Sequence, residues 1–191
     1  LEGWRRDGVK TASSKALADA LGIGAAQVRR DLTCLGRVGR PGVGYRVADL
    51  AAAIRSALGI DREWPAVLVG AGNLARALLR YRGFLERGFR IVGLFDADPA
   101  KVGQRVEGLE VRPVSELRRQ ARALRAELGI MAVPWEAAQE VGELLAAAGV
   151  RGVLNFAPAV LRLPAGIAVV NVDLTIQLEQ LAFQVQAGRD G

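Results

Sequence analysis

Residues 66–75 read Ala-Val-Leu-Val-Gly-Ala-Gly-Asn-Leu-Ala, an apolar run that enters a glycine turn and then a helix-forming stretch. Gly70, Gly72 and Ala75 fall in the pattern Gly-x-Gly-x-x-Ala. Between a strand and a helix, the first glycine permits a tight turn. The second lets the backbone approach a pyrophosphate, and the third small residue lets helix and strand pack closely. Amides at the helix N-terminus then face the phosphates. Gly70, Ala71, Gly72, Asn73, Leu74 and Ala75 are therefore candidate cofactor-binding residues. A second apolar run, 90–95, ends in Asp96, which lies 24 residues past Gly72. A carboxylate at that spacing suits a ribose diol and repels a 2′-phosphate, which favours NAD over NADP. Asp98 follows, and with Pro99 it can instead cap the next helix. The expected cofactor is NADH/NAD+.

A second set of residues lies earlier. Between 27 and 46 there are five Arg and one Asp. Val28, Leu32 and Leu35 recur at the spacing of one helix face. That leaves Gln27, Arg29 and Arg30 pointing elsewhere. Arg grips guanine or phosphate, and Gln reads adenine. The Gly-rich stretch 36–47 carries Arg37, Arg40, Tyr45 and Arg46 and has the texture of a hairpin end, which can grip phosphate or the adjacent minor groove. The plainer alternative is a small helical module with a solvated basic face.

These two sets need elements to position them. Leu1 to Arg6 reads as the tail of a helix that starts upstream. Ser13 or Ser14 starts a short helix that Gly22 stops. A second helix spans about 25–35, with Gly36 as its C-cap, and a further one spans about 47–58, presenting Leu50, Ile54, Ala57 and Leu58. Two short helices followed by a Gly-rich basic hairpin is the order of a winged helix-turn-helix. After Trp64-Pro65 the texture changes to strands alternating with helices. Strands are expected at 66–69, 90–95, 106–111, 129–133, 150–156 and 167–172, with helices at 114–127 and 135–148. That alternation implies a parallel, doubly wound sheet. The tail from Asp173 to Ala187 carries a stripe of Leu174, Leu178, Leu181 and Val185, with Asp173 as its N-cap. The expected fold class is α/β. A winged-helix DNA-binding domain occupies 1–62, with its first helix truncated. A Rossmann NAD(H)-binding domain occupies 63–172, and a C-terminal helix and tail 173–191.

Composition narrows the function classes. Of 191 residues, 51% are hydrophobic and 24% charged, which is ordinary for a globular chain. The net charge is +6, from 26 basic residues of which only three are Lys. A basic balance suits a polyanion partner, although a GC-rich genome also produces an Arg-rich, Lys-poor chain. No apolar run is long enough to span a membrane and no signal peptide is visible, so a cytoplasmic protein is expected. There is no His and one Cys, so metal sites are not expected. Cys34 reads as a small core residue. No proton-transfer set accompanies the glycine motif, so no catalytic residue is assigned. The simplest synthesis is a DNA-binding module whose affinity a dinucleotide sets. The alternatives are a Rossmann oxidoreductase or a CoA- or nucleotide-binding module.

Several stretches together carry a family resemblance. They are Gln27-Val28-Arg29-Arg30-Asp31-Leu32, Gly42-Val43-Gly44-Tyr45, Val69 to Leu74, Tyr81-Arg82-Gly83-Phe84, Phe95 to Gly103, Val133-Pro134, Leu154-Asn155-Phe156-Ala157-Pro158 and Asn171-Val172-Asp173. The chain resembles the redox-sensing transcriptional repressor Rex family over essentially its whole length. It departs from the family's usual pattern at Cys34-Leu35, Pro41, Ala132 and Leu174. The resemblance implies a homodimer whose last helix is exchanged between subunits. It also implies binding to palindromic operator DNA when NADH is low and release by NADH, with Tyr81 and Asp173 near the nicotinamide and part of the switch. Lys101, in the stretch 95–103, joins the candidate cofactor-binding residues.

Overall fold

The computed structural model describes residues 1–36, 38–40 and 42–188. The chain divides into two units, Leu1–Arg62 and Glu63–Gly191.

The first unit runs α1 (Glu2–Arg6), β1 (Thr11–Ala12), α2 (Ser14–Leu21), α3 (Ala25–Thr33), β2 (Gly39–Arg40), β3 (Gly44–Arg46) and α4 (Val47–Ala57). The Ser13 hydroxyl accepts from the Ala16 amide at 3.0 Å and starts α2. Leu17, Ala18, Val28, Val47 and Leu50 are buried together, with Leu32, Leu35 and Ile54 packed against them. Strand β3 lies between β1 and β2 and pairs antiparallel with both. This is the winged helix-turn-helix order, with α3 as its second helix.

Three details differ from expectation. β1 is a two-residue strand that exists through its pairing with Arg46 and Tyr45. Cys34 is exposed rather than in the core. Six residues past Val28, it falls well off the face that Val28, Leu32 and Leu35 share. Its thiol donates to the Asp31 carbonyl, and it is Cys34, not Gly36, that caps α3. Leu58 caps α4 but is 65% exposed, so Leu50 and Ile54 carry the packing of that helix.

The second unit runs β4 (Trp64–Val69), α5 (Asn73–Arg80), α6 (Arg82–Glu86), β5 (Phe89–Asp96), β6 (Arg105–Val106), β7 (Leu109–Pro113), α7 (Leu117–Ala123), β8 (Leu128–Met131), α8 (Trp135–Ala148), β9 (Gly152–Asn155), β10 (Ala168–Asn171) and α9 (Leu174–Ala187). The sheet order is β10-β9-β8-β4-β5-β7-β6. All pairings are parallel except the β6–β7 hairpin. The chain builds outward from β4 on one side, then crosses to β8 and builds outward on the other. The switch point therefore lies between β4 and β8, where doubly wound sheets bind ligands.

Alternate residues of β4 feed two layers. Ala66 and Leu68 pack with Ala71 and Ala75 toward α5. Val67 and Val69 pack with Leu117 and Ala121 of α7 and with Ala138, Val141 and Leu145 of α8. Hence α5 covers one face and α7 and α8 the other. Phe95, Leu94, Met131 and Leu145 are fully buried between them.

The region 105–127 departs from the expected strand and helix. The single strand at 106–111 is a hairpin, turned at Glu107 and Gly108, both with positive φ. The helix at 114–127 is a short 3-10 turn, Val114–Glu116, followed by α7, which ends before Arg125 at φ +52°. Asp98 caps a turn rather than a helix, accepting from the Ala100 amide at 2.9 Å. Helix α6 was not expected.

Helix α9 has no buried residue. Leu174, Leu178, Leu181 and Val185 make the expected stripe, each more than half exposed. Ile176 and Phe183 lie on the opposite side, and Phe183 is 73% exposed. Gln177, Glu179, Gln180, Gln184 and Gln186 separate the two apolar faces.

Candidate functional site

The crevice at the switch point starts from Gly70. Its φ is +98°, and a Cβ there would overlap the carbonyl oxygen of Ala132. Only glycine fits at that position. The Gly70 amide donates to the Phe95 carbonyl at 2.7 Å, and the Ala132 amide donates to the Val69 carbonyl at 2.8 Å. The ends of β4, β5 and β8 are thereby joined. Gly72 is the N-cap of α5 in an extended conformation, with no side chain capping the helix. A Cβ on Gly72 would meet nothing within 4 Å. Open space in front of uncapped helix amides fits an anionic phosphate.

Asp96 ends β5 and is 8% exposed. Its Oδ2 accepts from the Ala71 amide at 2.7 Å and from Lys101 Nζ at 3.1 Å. Its Oδ1 accepts from the Asp98 amide at 2.8 Å. Lys101 Nζ also lies 3.7 Å from Asp98 Oδ2. The side chains facing solvent on this side are thus Lys101 and Asp98, at 39% and 45% exposure. Asp96 holds the glycine turn against β5. Burial pushes its carboxyl up, but the amides of Ala71 and Asp98 and the Lys101 ammonium outweigh burial and hold it below its ordinary value.

The structure brings Gly70 to Ala75, Asp96, Asp98 and Lys101 together. Tyr81 is not among them. It caps the far end of α5, about 12 Å along the helix from the turn. There it is 57% exposed, with its ring edge-on to Phe84. Asp173 follows β10, three strands from β4 or about 14 Å away. Its Oδ1 caps α9 through the amides of Thr175, at 2.9 Å, and Ile176.

In the first unit, Gln27, Arg29 and Arg30 are exposed on α3. Arg29 Nη1 donates to the Ser14 hydroxyl at 3.2 Å, which fixes its direction from α2. A groove of about 610 Å³ runs between α3 and the hairpin, lined by Ser14, Arg29, Thr33, Arg40 and Tyr45 among others. Arg40 and Arg46 are exposed, Arg46 beside Asp49 at 3.5 Å. Tyr45 is half-buried, and its ring occupies the space where a side chain on Gly39 would lie. Arg37 lies outside the described residues, as does Pro41.

Sequence reasoning missed Asn155, which is fully buried. Its Nδ2 donates to the carbonyls of Ala157 and Ala159 and to Asn171 Oδ1, and its Oδ1 accepts from the Ala157 amide. It fixes the loop after β9 to the end of β10. A polar residue closing an apolar strand was the available signal. Among the described residues, no group of His, Cys, Asp and Glu could hold a metal, and no helix is long and apolar enough to cross a membrane.

The position of Asp96 has a pH consequence. Its folded pKa lies below the unfolded value of about 3.9. The stabilisation is therefore fully present above that value and lost as pH falls through the folded pKa. Asp96→Asn should cost about 1–3 kcal/mol of stability at neutral pH. The gap between the two proteins should close in acid, below the folded pKa. Denaturant titrations at neutral and acid pH check this; a gap that persists unchanged in acid contradicts it.

Comparison with known proteins places these features. Residues 61–159 match a family model described as "CoA binding domain", and residues 1–33 one described as "Putative DNA-binding protein N-terminus". The "Redox-sensing transcriptional repressor Rex" of Desulfitobacterium hafniense is 47% identical over 184 residues, 96% of this chain and 88% of the relative. "Redox-sensing transcriptional repressor Rex 1" of Thermotoga maritima is 44% identical over 97% of this chain and 88% of its own length. Among solved structures, RSP in complex with β-NAD+ and operator DNA matches with a TM-score of 0.90 and 30% identity, covering 98% of this chain and 87% of that one. RSP in complex with β-NADH matches with a TM-score of 0.85 and 29% identity, covering 98% and 88%. The winged helix-turn-helix, the doubly wound sheet with its glycine turn, and full-length identity at this level converge: the chain belongs to the Rex family of redox-sensing transcriptional repressors.

Proposed function

We propose that this chain is an NADH/NAD+-responsive transcriptional repressor that binds palindromic operator DNA as a homodimer and is released by NADH. One observation carries the reading. A helix with Gln27, Arg29 and Arg30 exposed shares a chain with an open glycine turn at a sheet switch point, in a family of redox-sensing repressors. The pyrophosphate rests on the amides of Gly72, Asn73 and Leu74. The adenosine lies on the β5 side, its ribose against Asp96 with Lys101 and Asp98 flanking. The acidic pair disfavours a 2′-phosphate. The cofactor is a signal here, not a reagent, and the chain is not an enzyme. A DNA-bound repressor works where the DNA is, in the cytoplasm.

On the DNA side, Arg29 and Arg30 face the major groove with Gln27, and Arg40 and Arg46 reach the backbone from the hairpin. Arg37 belongs to the same set by sequence. Tyr45 contributes by shaping the hairpin, given its packing against Gly39. A ligand changes DNA affinity only by binding two states unequally, with coupling of about 1–3 kcal/mol.

Helix α9 supports the homodimer. A helix apolar on two opposite faces is stable only when both are covered. Exchange between two copies of this chain covers them and gives Tyr81 and Asp173 of different subunits a way to meet near one cofactor.

The second reading, a CoA-binding module, is favoured by the family model over residues 61–159. One experiment separates the two. A labelled AT-rich palindromic duplex is titrated with the protein alone and with NADH, NAD+ or CoA. The proposal expects release by NADH and not by NAD+ or CoA. Arg40→Ala should weaken binding across sequences and reduce the salt slope by about one, while Arg30→Ala should weaken binding by about 1–3 kcal/mol and relax the choice of base. Binding indifferent to NADH, or release by CoA alone, contradicts the proposal. For the dimer, Leu178→Asp with Phe183→Asp should convert a two-chain particle to a single chain in sedimentation equilibrium. An unchanged mass would remove α9 from the interface.

A further inference from the structure

Trp135 is the first residue of α8, directly after Pro134, and is 63% exposed. It stands three residues beyond Ala132, whose carbonyl closes on Gly70. It therefore lies at the C-terminal edge of the sheet, on the β8 side of the switch point. Of the other two tryptophans, Trp64 begins β4 at the opposite edge, and Trp4 is in the first unit. Across the crevice Leu74, in the first turn of α5, is 41% exposed. Since α5 and α8 cover opposite faces of the sheet, Leu74 and Trp135 flank the crevice from its two sides.

A bound dinucleotide has two halves joined at the pyrophosphate. The glycine turn takes the pyrophosphate, and Asp96 with Lys101 marks the side of one ribose, toward β5. The other half must then extend over β8, past Ala132 to the start of α8. A large aromatic face left in water there costs solvation free energy, which a flat ring or sugar face recovers on contact. We propose that Trp135 is a cofactor-contacting residue that packs against the nicotinamide half of the dinucleotide. The inference rests on the dinucleotide reading of this crevice.

The test is calorimetric titration of the full chain, as wild type, Trp135→Phe and Trp135→Ala, with NADH and with ADP, which lacks the nicotinamide riboside. Trp135→Ala should weaken NADH about tenfold and leave ADP unchanged, while Trp135→Phe should retain most of the affinity. Equal affinity of all three proteins for NADH overturns the proposal. So does an equal loss for NADH and ADP. If Trp135→Ala instead dissociates the dimer in sedimentation and Trp135→Phe binds NADH normally, the residue is a subunit contact and the proposal fails. Wild type that binds no NADH overturns the dinucleotide reading itself, an outcome distinct from wild type that binds while Trp135→Ala is unaffected. Should Trp135→Ala fail to fold, a Trp4→Phe, Trp64→Phe protein leaves Trp135 as the sole emitter. Its emission should then respond to NADH and not to ADP; no response overturns the contact.

Discussion

Asp96 is the last residue of β5, and its two oxygens accept from three donors on two loops: the Ala71 amide in the glycine turn, and the Asp98 amide and the Lys101 ammonium in the loop after β5. A carboxylate at 8% exposure is expensive to bury alone. Charge-assisted hydrogen bonds from fixed amides make it affordable and, in return, fix those amides. The first residue after Gly70 is thereby pinned to the neighbouring strand. The turn cannot drift outward, and Gly72 stays at the mouth of α5 with open space before it. The loop 97–103 is pinned from its other side, which leaves Lys101 and Asp98 facing the crevice. A net-anionic pocket edge beside an uncapped helix N-terminus is an arrangement for a ligand that carries phosphate in its middle and a neutral sugar at its end.

The same economy operates in the first unit. Arg29 is held by a hydroxyl from α2, so one charged side chain of α3 has less rotamer freedom to lose on binding the proposed DNA. Tyr45 on β3 packs flat where Gly39 on β2 leaves room, so the hairpin keeps its shape beside α3. Helix α9 is the reverse case. Its two apolar faces find no cover within one chain, which is the observation behind the proposed homodimer. The proposed switch uses elements of both kinds: rigid parts for the ligand and the DNA, and a helix left free to pack against a second copy.

The glycine turn was legible because its constraint is local. Gly70 needs a conformation that only glycine adopts easily, and the strand and helix around it show their own periods. Winged-helix order was legible from Ser13, Gly22 and the stripe of Val28, Leu32 and Leu35. What escaped depends on non-local or strained features. β1 is a strand only because β3 lies beside it. The β6–β7 turn places Glu107 at φ +48°, which no turn-residue rule anticipates. Arg125 ends α7 in the same way. The exposure of Cys34 was readable from helix geometry, since its position lies off the apolar stripe. The oxygens of Asp96, expected to face a ribose, are largely committed to the protein, and no spacing argument reveals hydrogen bonds made by the Ala71 and Asp98 amides.

The proposed dinucleotide lies across the ends of β4 and β8, with its phosphates on the start of α5. The most direct measurement is amide chemical-shift mapping of isotope-labelled protein on addition of NADH. The largest shifts should fall on Ala71, Gly72, Asn73 and Leu74, with a second group at Ala132, Val133 and Trp135. Saturable binding that leaves those amides unmoved and shifts residues elsewhere would contradict the account.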